Sequence, residues 1–179
     1  MINEIIGQIL SIIAMLLFCL SYQLNTKTKL LIVQTAGAAC NCIGYLLIGA
    51  PSGFALNIIC MLRNVIYYFI KENSKTSLVS SLLLVMAMGV QCAFFWEGWI
   101  SLLITVPLMV NTVFMSFGNP QLLRKSVIGT SSVILIYNCI NFFSGGIISE
   151  ALSVISSIVG IVRFKKSAAP VNSEPPYID

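Results

Sequence analysis

The chain has 179 residues, 58% of them apolar and 9% charged, with a mean hydropathy of +0.94 and a formal net charge of +4. That composition lies far outside the range of soluble domains, which excludes a water-soluble fold of ordinary core and surface. The basic excess does not read as a nucleic-acid footprint, because the Lys and Arg residues flank apolar stretches and face anionic lipid.

Seven apolar stretches follow one another: Ile5–Tyr22, Leu30–Ile48, Gly53–Ile70, Leu78–Trp96, Ile100–Phe117, Ser126–Phe143 and Ile147–Val162. Each is near the lower length limit for a helix crossing ~30 Å of hydrocarbon. Met1–Gln8 carries Glu4 and no basic residue, so the first stretch lacks the n-region of a cleaved signal peptide and is expected to remain as a span. The gap after it holds Lys27 and Lys29, whereas Gly49–Ser52 holds no Lys or Arg. Lys71 and Lys75 follow the third stretch. The turn Trp96-Glu97-Gly98-Trp99 after the fourth has no basic residue and a Trp on each side at headgroup depth. Arg124 and Lys125 precede the sixth stretch, Ser144–Glu150 is again free of Lys and Arg, and Arg163, Lys165 and Lys166 end the seventh. The alternation predicts an all-α membrane protein of seven transmembrane helices, with the N-terminus outside and the C-terminus cytoplasmic. Residues 167–179, with three prolines, are expected to form a disordered cytoplasmic tail.

The same punctuation repeats. Sliding the chain by 96 residues lays Lys29 on Lys125, Gly49 on Gly145 and Ala55-Leu56 on Ala151-Leu152. The phrase span, basic pair, span, glycine turn, span, basic end therefore occurs twice. It divides the chain into a first three-helix repeat (1–71), a linker helix (72–97) and a second three-helix repeat (98–166). An odd number of spans per repeat needs one extra crossing, so the copies run parallel about an axis along the membrane normal. This 3+1+3 reading places a pathway between the two units.

Enzyme chemistry is nearly excluded by what the chain lacks. With no histidine there is no Ser-His-Asp or Cys-His arrangement and no His-based metal site. Glu4, Glu72, Glu97, Glu150, Glu174 and Asp179 sit at loops, span ends or the tail, and no pair of carboxylates is placed for acid–base work. The six cysteines lie inside apolar stretches, where they read as small packing residues. No cofactor or metal is expected.

The spans carry uncharged polar side chains instead. Asn41, Asn57, Asn111, Asn138 and Asn141 stand among them, with Tyr45 and Tyr137 as stacking surfaces. An unpaired amide in hydrocarbon costs several kcal/mol, so these groups face other helices or a wet cavity. Interhelical hydrogen bonding is the simpler reading; a binding site for a polar solute is the sharper one. Arg63 follows Asn57 by six residues, ~9 Å further toward the cytoplasm. It reads either as a cation snorkelling to phosphates or as an anion-attracting, gating residue. Glu150 reads as an N-terminal cap of the seventh helix or as an outer gate. Pro107, the proline well inside a span, permits a hinge. Pro51 and Pro120 lie at turns.

The segments GAPSGFALNIICMLRN and YNCINFFSGGIISEALSVISSIVGIVRF resemble the YgjV-type bacterial inner-membrane family over most of residues 1–166. That family is distantly similar to the SWEET, SemiSWEET and PQ-loop carriers. The resemblance implies a bacterial inner-membrane location, a 3+1+3 bundle and alternating access for a small solute. It implies that Asn57 lines the site, with Ser153 at the equivalent position of the second repeat. The aromatic of the second helix falls on Asn41 in one repeat and Tyr137 in the other; Pro107 is the surviving hinge proline and Pro120-Gln121 is similar to the PQ dipeptide. The expected function is a carrier for a small polar solute, sugar-like in class, with Asn57, Ser153, Asn41, Tyr137, Asn138 and Asn111 at the site. The bilayer and the solute are the partners, and a homo-oligomer is compatible with the sequence. The alternative is a non-transporting interaction or regulatory protein on the same fold.

Overall fold

The computed structural model describes residues 2–72, 74–96, 98–140 and 144–164. The chain forms α1 (Ile2–Ser21), α2 (Lys27–Ile48), α3 (Pro51–Phe69), α4 (Lys75–Phe94), α5 (Ile100–Ser116), α6 (Pro120–Ile140) and α7 (Ser144–Arg163). All seven predicted spans are helices. Four of them, α1 to α4, are long and apolar enough to cross a membrane, and α5 is a shorter apolar helix of 17 residues. The expected tail, Asn141, Asn73 and Glu97 lie outside the described residues.

Local chemistry sets the helix ends. Gly49 takes φ 71° and ends α2, with its N–H on Leu46 O and the Ala50 N–H on Tyr45 O. Pro51 then opens α3 at its first position, where the missing N–H costs nothing. Ser74 Oγ accepts from the Ser77 N–H at 3.1 Å and caps α4. Asn119 Oδ1 accepts from Gln121 N at 2.9 Å and Leu122 N at 3.3 Å, which caps α6. That cap starts α6 at Pro120 rather than Ser126, so Pro120 is a helix opener and Arg124 and Lys125 stand on a helix instead of in a loop. The seventh helix likewise begins at Ser144, which puts Glu150 roughly two turns inside it. The expected role of Glu150 as a cap is therefore corrected, because the carboxylate is beyond the free amides of the first turn.

Each helix packs on the next in chain order, α7 returns to α1, and a narrower contact joins α3 to α5. The most extensive seam runs between α1 and α2. A Cβ on Gly7 would stand 3.1 Å from Gly44 O, one on Gly44 would stand 3.1 Å from Gly7 O, and one on Gly37 3.3 Å from Ala14 O. Small residues let these backbones approach, as membrane helices require when apolar burial supplies no drive between them.

The ends of the ring differ. Tyr22, Leu30, Leu31, Tyr67, Met115, Leu123 and Val127 form a buried cluster at the end that carries Lys27, Lys71, Lys75 and Arg124, here termed the basic end. Toward the opposite end the packing loosens: no residue of α3 from Pro51 to Leu62 is buried, and none from Ile147 to Leu152 on α7. Leu82, Leu83, Ile155 and Val162 are exposed on the outside, as a lipid-facing surface demands.

Gly44→Leu forces apart the α1–α2 seam and is expected to lower unfolding stability in detergent by about 1–3 kcal/mol. Gly129→Ala, whose Cβ meets nothing within 4 Å, is expected to be neutral or stabilising by up to about 1 kcal/mol.

Candidate functional site

Two polar seams close the basic end. The first joins the end of α1 to α6 and α7. Helix C-termini leave carbonyls without intrahelical partners and carry partial negative charge. Arg124, fully buried on α6, answers both needs: its Nε donates to Tyr22 O at 2.7 Å and its Nη2 to Leu24 O at 2.6 Å. The guanidinium also lies 4.8 Å from the centroid of the Phe164 ring. Alongside, Gln23 Nε2 donates to Ser156 O at 2.7 Å and Ser156 Oγ at 2.9 Å, and Ser156 Oγ donates to Cys19 O at 2.7 Å. Gly160 is the residue that allows this approach. A Cβ there would meet Tyr22 O at 2.5 Å and Arg124 Nε at 2.8 Å.

The second seam joins α3 to α5. Arg63 is 5% exposed and Asn64 1%. Arg63 Nε and Nη2 both donate to Asn64 Oδ1 at 3.2 Å, and Nη1 donates to Thr112 Oγ1 at 3.3 Å. Tyr67 OH donates to Thr112 O at 3.1 Å. Arg63 therefore does not snorkel to the end of the bundle; its head turns inward, where amide and hydroxyl oxygens satisfy it. Nearer the basic end Lys27 pairs with Glu72 at 3.5 Å. That pair and the donation from Lys27 Nζ to Ile70 O at 3.2 Å tie α2 to the end of α3.

The other predicted site residues sit above these seams and do not form one network. Asn57 is half-buried and its Nδ2 donates to Gly53 O on its own helix at 2.9 Å. Asn41 is half-buried on α2. Asn111 Oδ1 accepts from Ser126 Oγ at 3.0 Å, which links α5 to α6. Asn138 on α6 and Ser153 on α7 are buried, and Glu150 is half-buried with Ser131 as a hydrogen-bond partner. Pro107 is buried within α5. The side chain of Tyr137 lies outside those described. A cavity of about 690 Å³ is an apolar groove between α5 and α6 that includes Pro107 but neither Asn57 nor Ser153.

Arg124 is the functional candidate that sequence reasoning passed over, since it was assigned to a basic loop. The sequence carries no signal that separates it from Lys125: consecutive helical residues point about 100° apart, and both can lie on one exposed face, as Leu82 and Leu83 do.

Apolar outward faces with charged and amide groups turned inward define a multi-pass membrane protein. The chain belongs to the Imp-YgjV family, described as bacterial inner membrane protein, which it matches over residues 5–168. No curated protein and no solved structure matches it.

Arg124→Gln removes two charge-assisted bonds from the end of α1. It is expected to lower stability in detergent by about 2 kcal/mol or more, seen as a fall in the unfolding midpoint. Lys125→Gln, on the exposed neighbour, should stay within about 0.5 kcal/mol of the parent.

Proposed function

We propose that this protein is a carrier for a small polar solute, working by alternating access between two three-helix units, α1–α3 and α5–α7, with α4 as the linker. The observation that carries the reading is the contrast between the two ends of the bundle. The cross-links between the units (Arg124 with Tyr22 and Leu24, Gln23 with Ser156, Arg63 and Tyr67 with Thr112) are hydrogen bonds grouped in the basic half. At the other end no residue of α3 from Pro51 to Leu62 and none of α7 from Ile147 to Leu152 is buried. At the basic end a buried apolar cluster joins Tyr22, Leu30, Leu31 and Tyr67 of the first unit to Met115, Leu123 and Val127 of the second, and it must part together with these bonds when the bundle opens.

The contact pattern supports the 3+1+3 repeat. Laying α1, α2 and α3 on α5, α6 and α7 exchanges the α1–α7 contact with the α3–α5 contact. In this reading the two seams are equivalent gates at the cytoplasmic end, with the N-terminus outside, and the described state is closed toward the cytoplasm. Asn57, Asn138 and Ser153, with Asn41 and Asn111, supply neutral hydrogen-bonding groups above the gates. Tyr137 belongs to the same level by sequence, Pro107 serves as the hinge, and Glu150 faces the site from the outer side.

A second reading has its own support. Asn111 pairs with Ser126, Asn57 with its own helix and Gln91 Nε2 with Ser52 O at 3.3 Å. Amides satisfied in this way suit a non-transporting interaction or regulatory protein on the same fold.

Counterflow into liposomes separates the two. With a panel of sugars, polyols and neutral amino acids, the carrier reading expects at least one solute to accumulate above protein-free liposomes. Asn57→Ala is then expected to reduce that uptake about tenfold, the value of one lost hydrogen bond, without changing the unfolding midpoint. No accumulation of any solute by folded protein would leave the interaction reading standing alone.

A further inference from the structure

The α5–α6 groove is not part of the proposed solute path. It holds about 690 Å³ and is lined by Leu102, Val106, Val110, Phe114 and Val133 among other apolar groups, several of them well exposed. Its polar lining is grouped at the basic end, where Lys125, Ser126 and Thr130 stand on α6. Two of these are already engaged: Ser126 Oγ with Asn111 and Leu123 O, and Thr130 Oγ1 with Ser126 O. Lys125 is exposed and has no hydrogen-bond or ion-pair partner among the described residues. Gly129 lies on α6 one turn beyond it, and a Cβ there would meet no atom within 4 Å. The absent side chain leaves the groove open.

We propose that this groove binds one acyl chain of an anionic phospholipid, whose phosphate is held by Lys125. The dimensions agree. From Leu102 to Phe114 the α5 wall rises about 18 Å, and one leaflet of a ~30 Å hydrocarbon core is about 15 Å deep. The polarity agrees as well, because Lys125, the cation of the groove lining, sits where the headgroup of a chain lying in the groove emerges. An apolar lining does not suit a polar solute. A helix from a second copy fits less well than lipid. Two copies in one membrane share their orientation, so a neighbour's basic end would stand beside Lys125 and repel it. Selectivity is carried by the headgroup, since the acyl chain gains little on leaving other lipid tails for the groove.

The test uses the full chain purified in detergent, delipidated, and titrated with phosphatidylglycerol or phosphatidylcholine of identical acyl chains, with bound lipid counted by native mass spectrometry. The first phosphatidylglycerol is expected to bind about fivefold more tightly than phosphatidylcholine, the preference one lysine confers near a lipid phosphate. Lys125→Gln should abolish the preference, and Gly129→Phe, which fills the groove, should remove the tight site for both lipids. Equal affinity of the parent protein for the two lipids would overturn the assignment. So would an undiminished tight site in Gly129→Phe, or disulfide dimers through Gly129→Cys in membranes, which would give the groove to a second copy. Melting curves of each variant separate lost binding from lost folding.

Discussion

Hydrocarbon offers no hydrogen bonds, so the end of α1 must be finished by the protein itself. Arg124 does this. It reaches from α6 to the carbonyls of Tyr22 and Leu24, and that reach brings α1, α6 and α7 to one point around Gly160. The closed ring of helices depends on it. Without a cation at this place the Tyr22 and Leu24 carbonyls, in the turn that follows α1, would lose their side-chain donors, at a cost of roughly 1–3 kcal/mol each. The α1–α2 glycine seam and the apolar cluster at the basic end then pack around a fixed corner.

The sequence made much of the fold legible. Helix count and approximate ends followed from apolar length, and the basic gaps after the first, third and fifth apolar stretches marked one end of the bundle. What it could not separate were the two kinds of arginine environment. Arg63 lies within a span, yet whether its head runs out to phosphate or turns in toward Thr112 depends on which face α3 presents to α5. Arg124 looked like a loop residue because the run of large apolar residues starts only at Val127, although Asn119 and Pro120 open the helix about two turns earlier. Glu150 was misjudged for the same reason: glycine and serine at 144–146 read as a turn but belong to α7. The amides were found, but their pairing was not, since Asn57 bonding Gly53 and Asn111 bonding Ser126 are matters of rotamer and helix rotation.

Polar groups in this bundle divide by depth. Those near the basic end include the cross-links between α1–α3 and α5–α7; further up, Asn57 bonds its own helix and Gln91 of α4 bonds Ser52 of α3. A carrier needs both a seam that can part and groups that a solute can take over from their present partners. Small residues where helices meet, at Gly7, Gly37, Gly44 and Gly160, let close packing persist without the interdigitation that would block such movement. The α5–α6 groove beside Pro107 is a separate feature, and the lipid proposed for it would act on these two helices.

The most direct measurement of the central claim, a bundle closed by polar seams at its basic end and loose at the other, is cysteine accessibility in a cysteine-free parent. Membrane-impermeant maleimide would be added to spheroplasts carrying Asn57→Cys or Ser157→Cys. Labelling at position 57 with protection at position 157 is the expected result. Protection at 57 together with labelling at 157 would contradict it.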